Sequence, residues 1–330
     1  MSDFKNDVCF SVSREKLLEL CPRKFFYAVY LMWGGWFNGD GYRDPRRKRA
    51  YELKNVNTEA EWAGKIVHER AQWALEQAKQ RPNFIQDWGG LGEIKRVAQT
   101  QAEKAIDEGL RQARSGLRGS PKRWLQLSSI INGGQAAEQW LRDRVQRRID
   151  ALFGPDESWT DNVNVMARAL SRPKKIVHVE ELIEWRVGSI KCFLKHDLVM
   201  RGVEPTTAVI IDWKTGVDKA IDEDQLDFYA AWAVNNGWKA ATAGIIHLTH
   251  ERTAEVQWIE VDPSNSNKRT AARVSDFIDA LRWRLVNGDV IKNEAIEEKF
   301  ESTTDPSVCQ SCQFATMCER EGTKPSTGCV

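Results

Sequence analysis

The chain has 330 residues, of which 42% are hydrophobic and 29% are charged. This ordinary composition excludes a disordered or fibrous chain and indicates one large or two ordinary globular domains. A chain of this length can bury a core without disulfides or structural metals. Lysine and arginine (48) nearly balance aspartate and glutamate (47), so the net charge neither supports nor excludes a nucleic-acid partner.

Targeting segments are not recognisable in this sequence. The N-terminus lacks the basic and apolar stretches of a signal peptide, and no apolar run is long enough to span a membrane. We therefore expect a cytosolic protein without a membrane partner. In that compartment thiols stay reduced, so the seven cysteines are interpreted as buried residues, metal ligands or catalysts.

The first 58 residues predict two helices followed by a connection. Residues 11–31 read as a helix, a break at Cys21-Pro22 and a second helix with an aromatic face, because proline is tolerated in a helix's first turn. Residues 33–58 are rich in glycine and then basic, which is more typical of an exposed loop.

Helices are also predicted for the next hundred residues. Residues 59–80 have helical periodicity in their apolar positions. Residues 93–153 are mostly charged helical sequence, and we expect breaks at 116–121 and at Asn-Gly-Gly 132–134. We interpret these helices as an insertion lying over or beside a core.

From about residue 175 the pattern changes to strands. The predicted elements are strands at 175–187, 189–202 and 206–216, a helix at 222–237, strands at 241–250 and 254–262, and a helix at 268–288. This order predicts an α/β fold with a mixed sheet flanked by helices.

Two aspartates and a lysine stand out on the predicted strands. Asp212 and Lys214 are two positions apart, so their side chains share one face, and pairing through the turn at 202–206 would bring Asp197 beside Asp212. Two carboxylates suit a hard cation such as Mg2+, which can lower the pKa of a bound water and stabilise charge on a phosphate. Lys214 could orient or deprotonate that water. The alternative is an exposed strand edge, but charge after an apolar run is costly unless it is paired.

The segment Ile210-Ile211-Asp212-Trp213-Lys214-Thr215-Gly216 resembles the core motif of the PD-(D/E)XK nuclease superfamily, particularly its RecB-like branch. The resemblance implies a restriction-endonuclease-like fold and makes Asp197 the first acidic residue. Gln225 and Tyr229 match the branch's Gln-x-x-x-Tyr helix motif, which points towards the metal or the nucleic-acid strand. His68 matches its upstream Gly-x-x-x-His motif and is implied as a metal ligand together with Asp197 and Asp212. Read alone, Tyr229 and His68 could equally be packed residues.

Three cysteines lie close together in the C-terminal tail, at Cys309, Cys312 and Cys318. They are one ligand short of a four-thiolate site, and the fourth candidate is Cys21. Thiolates favour zinc or an iron–sulfur cluster, although the one-plus-three arrangement fits the usual paired zinc pattern less well. The remaining cysteines, including Cys9, fit no pattern.

One-plus-three cysteines around such a core resemble the CRISPR-associated RecB-like exonucleases and the AddB-type helicase–nuclease subunits. The phrase from Ser13 to Phe25, containing Cys-Pro-Arg-Lys-Phe, is similar to their N-terminal signature. The resemblance implies a 4Fe–4S cluster bound by Cys21, Cys309, Cys312 and Cys318, which joins the N-terminal and C-terminal segments. The segment 82–170 and the segment 33–58 have no counterpart in the motifs that carry the resemblance.

These patterns predict one integrated nuclease domain. It comprises an N-terminal segment with Cys21 and a basic loop (1–58), a helical region carrying His68 (59–170), the nuclease core (171–290) and a cluster-binding tail (291–330). The expected activity is hydrolysis of DNA by a Mg2+- or Mn2+-dependent exonuclease on single-stranded or frayed ends. The basic run at 43–50 could contact phosphates. Two alternatives stay open: a weakly catalytic DNA-binding subunit of a larger complex, such as one for CRISPR adaptation, and a zinc protein of unrelated function.

Overall fold

The structure is a computed structural model and describes residues 6–36, 44–114, 127–154, 165–216, 223–248, 254–310 and 312–318. Its helices are α1 (Val12–Leu20), α2 (Pro22–Phe25), α3 (Pro45–Asn55), α4 (Glu59–Gln80), α5 (Phe84–Asp87), α6 (Leu91–Arg114), α7 (Leu127–Phe153), α8 (Val165–Ser171), α9 (Glu223–Asn235), α10 (Pro263–Arg282) and α11 (Pro306–Gln310). Its strands are β1 (Cys9–Phe10), β2 (Ile176–Val179), β3 (Leu182–Val187), β4 (Ile190–Lys195), β5 (Leu198–Arg201), β6 (Thr207–Lys214), β7 (Ala240–Leu248) and β8 (Ala254–Val261).

The strands form two mixed sheets, which confirms the predicted α/β class. A three-stranded sheet has the order β1-β4-β3, and a five-stranded sheet has the order β2-β5-β6-β7-β8. Within the larger sheet, β6 and β7 are parallel and the other neighbours are antiparallel. The parallel pair is connected through α9, as parallel neighbours require a crossover.

The two faces of the larger sheet carry separate cores. Helices α4 to α8 cover one face, where Ile211 and Trp213 of β6 are buried. The N-terminal helices, α9, α10 and the smaller sheet pack on the other face, where Ile210 of β6 is buried. Successive side chains of β6 are buried on opposite faces of the sheet, which explains why its run of apolar residues is almost continuous.

Two predicted strands are each divided in the structure. The stretch 175–187 forms β2 and β3, and the stretch 189–202 forms β4 and β5, with β2 and β5 in one sheet and β3 and β4 in the other. The expectation of continuous strands was therefore wrong. The divisions fall at Glu180 and Asp197, which are adjacent because the Glu180 N–H donates to the Asp197 carbonyl oxygen at 3.1 Å.

The predicted helices match the structure except at three places. In addition, α5 and α8 were not predicted, and α2 continues as a π-helix over Phe26–Leu31. The helix predicted at 59–80 is confirmed as α4, which begins with a capping box of Thr58 and Glu61. Residues 45–55, expected in an exposed loop, form α3, because Asp44 caps its first turn and Ala50 is buried. Residues 132–134, where a break was expected, lie inside α7. Burial of Leu141 stabilises a later turn of this helix, and packing outweighs the low helix propensity of glycine.

The third place is the C-terminal helix. Asp262 accepts a hydrogen bond from the Ser264 N–H and Pro263 occupies the first turn, so the helix begins earlier than predicted. It ends at Arg282, before a short 3-10 turn in which Asn287 adopts φ 55°. The break predicted at 116–121 lies outside the described residues. No described helix is both long and apolar enough to cross a membrane.

Candidate metal and catalytic site

The candidate site lies where the chain passes between the two sheets. Glu180 joins β2 to β3 and adopts a left-handed backbone conformation (φ 49°), which is unfavourable for a residue other than glycine. Asp197 joins β4 to β5, and its Oδ2 accepts a hydrogen bond from the Trp213 N–H at 2.6 Å. Both carboxylates are buried, so the junction places two acidic groups side by side in the interior.

Helix α4 brings the imidazole of His68 to this junction. Its Nδ1 lies 2.8 Å from Glu180 Oε1 and 3.2 Å from Asp197 Oδ1. The possible ligand atoms of these three residues all lie within 4.8 Å of one another. An imidazole and two carboxylates are a donor set suited to a divalent cation such as Mn2+, and the carboxylates suit Mg2+.

Gly64 allows α4 to approach the end of β6. A Cβ atom at Gly64 would lie 2.7 Å from Thr215 Oγ1, closer than side-chain atoms normally pack. Gly64 and His68 are four residues apart and therefore share a helical face. The Gly-x-x-x-His spacing thus has a physical basis in the structure: the glycine gives close contact and the histidine one turn later reaches the carboxylates.

Asp212 and Lys214 lie together at the end of β6, as their spacing predicts. Lys214 Nζ is 2.6 Å from Asp212 Oδ2. The pairing of Leu198 with Ile211 in the β5–β6 ladder puts Asp197 beside Asp212. The expected convergence of the two aspartates therefore agrees with the strand register.

Helix α9 supplies two side chains that hold this pair. Gln225 Nε2 donates to Asp212 Oδ1 at 3.0 Å, and Lys214 Nζ donates to Gln225 Oε1 at 2.9 Å. The Tyr229 hydroxyl lies 3.2 Å from Asp212 Oδ1 and also contacts Gln225. The ring of His196 packs on Tyr229, with centroids 4.6 Å apart, and not on the carboxylates. Gln225 and Tyr229 thus both hold Asp212 Oδ1, while Gln225 and Asp212 Oδ2 hold the lysine.

The electrostatics of the site reflect the crowding of carboxylates. Burial raises the pKa of Asp197, and the nearby Asp212 adds to the rise. Burial alone would lower the pKa of His68, but Asp197 and Glu180 outweigh it and raise that pKa. Burial acts to raise the pKa of Glu180, yet His68 and Lys195 lower it overall. A proton on His68 therefore lies beside both carboxylates and offsets part of their charge. A divalent cation bound in its place would offset that charge too.

The N-terminal helices and the segment after residue 300 meet near the predicted cysteines. Cys21 ends α1 and begins α2, and its sulfur accepts hydrogen bonds from the Lys24 N–H at 3.4 Å and the Thr303 N–H at 3.5 Å. Cys318 Sγ lies 3.2 Å from Ser302 Oγ. Burial raises the pKa of the Cys312 thiol, and the neighbouring Cys21 and Cys318 thiols contribute to the rise.

The same region is held by further hydrogen bonds between remote residues and within the C-terminal segment. The Arg23 N–H donates to the Glu301 carbonyl oxygen at 3.0 Å. The Tyr27 hydroxyl donates to the Met317 carbonyl oxygen at 2.9 Å. Cys309 lies in α11, and its carbonyl accepts a hydrogen bond from the Cys312 N–H at 3.2 Å. The structure therefore places Cys21 beside the C-terminal segment at Thr303 and near Cys312, and binding of a cluster by all four cysteines stays a prediction.

Glu180 is the site residue that the sequence patterns did not identify. It lies in a run, Val177 to Val187, that reads as one strand. The adjacent glutamates Glu180 and Glu181 interrupt the alternation of apolar residues, and this interruption was the available signal. Its meaning depends on a chain crossing between two sheets, which local periodicity does not encode.

Comparisons with known proteins found a matching family. The sequence model of the PD-(D/E)XK nuclease superfamily matches residues 9–319, and a comparison with curated proteins found no match. The crystal structure of SSO0001 is similar at 15% identity over 67% of this chain and 97% of that chain, with a TM-score of 0.27, which is too low to carry a structural argument.

Members of the superfamily are typically metal-dependent nucleases that act on DNA. The two mixed sheets flanked by helices are consistent with its restriction-endonuclease-like fold. This chain belongs to the PD-(D/E)XK nuclease superfamily.

Proposed function

We propose that this protein is a Mg2+- or Mn2+-dependent deoxyribonuclease of the RecB-like branch, an exonuclease on single-stranded or frayed DNA ends. One observation carries the metal-dependent hydrolysis: His68, Glu180 and Asp197 converge within 4.8 Å beside the Asp212–Lys214 pair. The preference for ends and for single strands depends on the motif resemblance. So does a partnership in a larger DNA-processing complex, of which CRISPR adaptation is one setting.

Each site residue has a role in this proposal. His68, Glu180 and Asp197 hold the cation, and Asp212 completes the acidic set from the neighbouring strand. A bound divalent cation lowers the pKa of a water and offsets charge on the scissile phosphate. Lys214 orients the attacking water and compensates negative charge that develops on the phosphate.

The α9 residues act by positioning. Gln225 contacts both Asp212 and Lys214, so it keeps the ammonium group directed at the reacting phosphate. Tyr229 contacts Asp212 from the buried side, and burial holds its pKa well above the usual value. The hydroxyl therefore stays protonated and serves as a hydrogen-bond donor.

The cysteines are proposed to bind a 4Fe–4S cluster. Cys21, Cys309, Cys312 and Cys318 supply four thiolates, which suit iron–sulfur clusters. The contacts of Cys21 with the segment at Thr303 support this proposal, because they join residues that are remote in sequence. We assign the cluster a structural role, since it would close a very long loop.

The proposed activity is tested with end-labelled single- and double-stranded DNA and anaerobically purified protein. We expect degradation with Mn2+ or Mg2+, none with EDTA, and none by the Asp212→Ala variant. Fragments that shorten progressively from one end would support an exonuclease. Absence of cleavage by folded protein that still binds DNA would overturn the proposal and favour a non-catalytic subunit.

A further inference from the structure

Helix α7 carries a stripe of three residues outside the site described above. Trp140, Arg144 and Arg148 are spaced four apart and therefore share one helical face. Their exposure decreases along the stripe, from 45% for Trp140 to 8% for Arg144 and 0% for Arg148. The stripe thus leads from the surface into the protein.

Both arginines converge on the backbone at the end of β6. Arg148 Nε donates to the Thr215 carbonyl oxygen at 2.7 Å, and Arg144 Nη2 donates to the same oxygen at 3.2 Å. The Arg144 guanidinium also lies over the Trp140 ring, 4.8 Å from its centroid. Among the described residues, Arg144 Nε and Arg148 Nη2 are buried and have no hydrogen-bond partner.

This arrangement buries two positive charges that have no counter-ion among the described residues. Burial lowers the pKa of Arg144, and burial together with the adjacent Arg144 charge lowers the pKa of Arg148 to about 10. Both groups remain charged at neutral pH, and no described carboxylate forms an ion pair with either. Two buried like charges with unmet donors cost free energy. Arg148 Nη1 also donates to the Arg144 carbonyl oxygen at 3.4 Å, but no described acceptor meets Arg144 Nε or Arg148 Nη2.

The arginines are close to the candidate metal site. Thr215 follows Lys214 directly, and its Oγ1 contacts the α4 helix at Gly64. His68 lies one turn further along α4, and one turn of helix is about 5.4 Å. The two arginines therefore lie at the strand end that carries Asp212 and Lys214.

We propose that Arg144 and Arg148 form a binding site for a backbone phosphate of the DNA strand, adjoining the phosphate that is cleaved. Arg144 contacts the phosphate, Arg148 supplies a second buried charge, and Trp140 offers an exposed ring to the neighbouring base. A guanidinium matches phosphate geometry through paired N–H groups, and aromatic rings stack bases of any sequence. The inference rests on the proposed nuclease function and deepens it.

The test measures binding of a fluorescent single-stranded oligonucleotide by anisotropy at several salt concentrations. Asp212→Asn serves as the background, because it prevents hydrolysis during the titration. Adding Arg144→Gln should weaken binding about tenfold, the loss expected for one charge-assisted hydrogen bond. It should also reduce the slope of log Kd against log salt by about 0.7, the value for one single-strand phosphate contact. The matched control is Arg147→Gln, an exposed arginine on the same helix.

Two further variants keep the test decisive if Arg144→Gln perturbs folding. Arg144→Lys retains the charge and should retain the salt slope, and Trp140→Ala should weaken binding without changing that slope. Unchanged affinity and slope in the Arg144 variants, as in Arg147→Gln, would overturn the inference. Failure of the proposed function is a separate outcome: the unmodified protein would not cleave DNA, whether or not the arginine variants bind it more weakly.

Discussion

At the scale of single residues, Glu180 is the proposed metal ligand with the most specific surroundings. Its carboxylate contacts His68 and also pairs with Lys195. Its left-handed backbone conformation costs free energy, and such strain is often found at functional sites. The neighbouring Glu181 points elsewhere, 2.5 Å from His178, so the two adjacent glutamates provide a matched pair for experiment.

We expect Glu180→Gln to raise the Mn2+ concentration for half-maximal DNA cleavage by at least about tenfold, because it removes a charged metal ligand. Glu181→Gln should leave this concentration unchanged. Cleavage assays over a Mn2+ titration check both variants. Equal effects of the two substitutions would exclude a specific role for Glu180 in holding the cation.

The affinity of the site for Mn2+ should depend on pH. Asp197 and Glu180 raise the pKa of His68 in the metal-free site, so the imidazole is protonated at neutral pH and must lose that proton to bind a metal. Metal affinity should therefore increase with pH, by about tenfold per unit for each proton released. Titration calorimetry with Mn2+ measures this dependence. A pH-independent affinity, or the same dependence in His68→Gln, would contradict it.

Sequence patterns identified Asp197, Asp212 and Lys214 because their spacing on strands encodes which side chains share a face. His68, Gln225 and Tyr229 were implied only by resemblance to a nuclease branch, yet the structure brings them to the same site. Glu180 was missed for a physical reason: its position follows from two strands that change sheets at neighbouring points.

At the scale of elements, the residue at which α4 begins and its close approach to β6 determine where His68 lies. The capping box at Thr58 and Glu61 fixes where this helix begins, and Gly64 permits contact with the end of β6. Strong periodicity of its apolar residues made α4 predictable. The basic helix α3 was not predicted because its stabilisation comes partly from remote partners, such as the ion pair of Arg46 with Glu297 at 2.8 Å.

Gly64→Ala tests this contact. In an exposed helix interior such a change stabilises by roughly 1 kcal/mol, but here the added methyl group would lie 2.7 Å from Thr215 Oγ1. We expect the free energy of unfolding to fall by about 1–3 kcal/mol, as for overpacked sites, measured by urea denaturation. Adding Thr215→Ala removes the contacting atom and should restore stability. A more stable Gly64→Ala protein would show that α4 does not pack as described.

At the scale of the whole molecule, the N-terminal helices pack against the C-terminal segment on one side of the larger sheet. The stacked rings of Phe25 and Phe300, with centroids 6.3 Å apart, contribute to this contact alongside the cysteines. The Cys309-x2-Cys312-x5-Cys318 spacing indicated a metal or cluster site from sequence alone. The resemblance of the Ser13 to Phe25 segment to a nuclease signature implied Cys21 as the fourth ligand, and the structure places its sulfur 3.5 Å from the Thr303 nitrogen.

Cys312→Ser should remove the brown colour of the proposed cluster and lower the free energy of unfolding by about 2–5 kcal/mol, the range for losing a covalent cross-link. Visible absorption and thermal unfolding of anaerobically purified protein measure both effects. Cys329→Ser, at a cysteine outside the described residues, is the control and should change neither. A colourless Cys312→Ser protein of unchanged stability would refute a structural role for the cluster.

The junction between the two sheets is proposed to hold a catalytic divalent cation. A crystal structure of the protein with Mn2+ tests this metal site most directly. We expect an anomalous-scattering peak bound by His68, Glu180 and Asp197, with Asp212 and Lys214 adjacent. A peak at other residues, or no peak in crystals of protein that cleaves DNA with Mn2+, would contradict the claim.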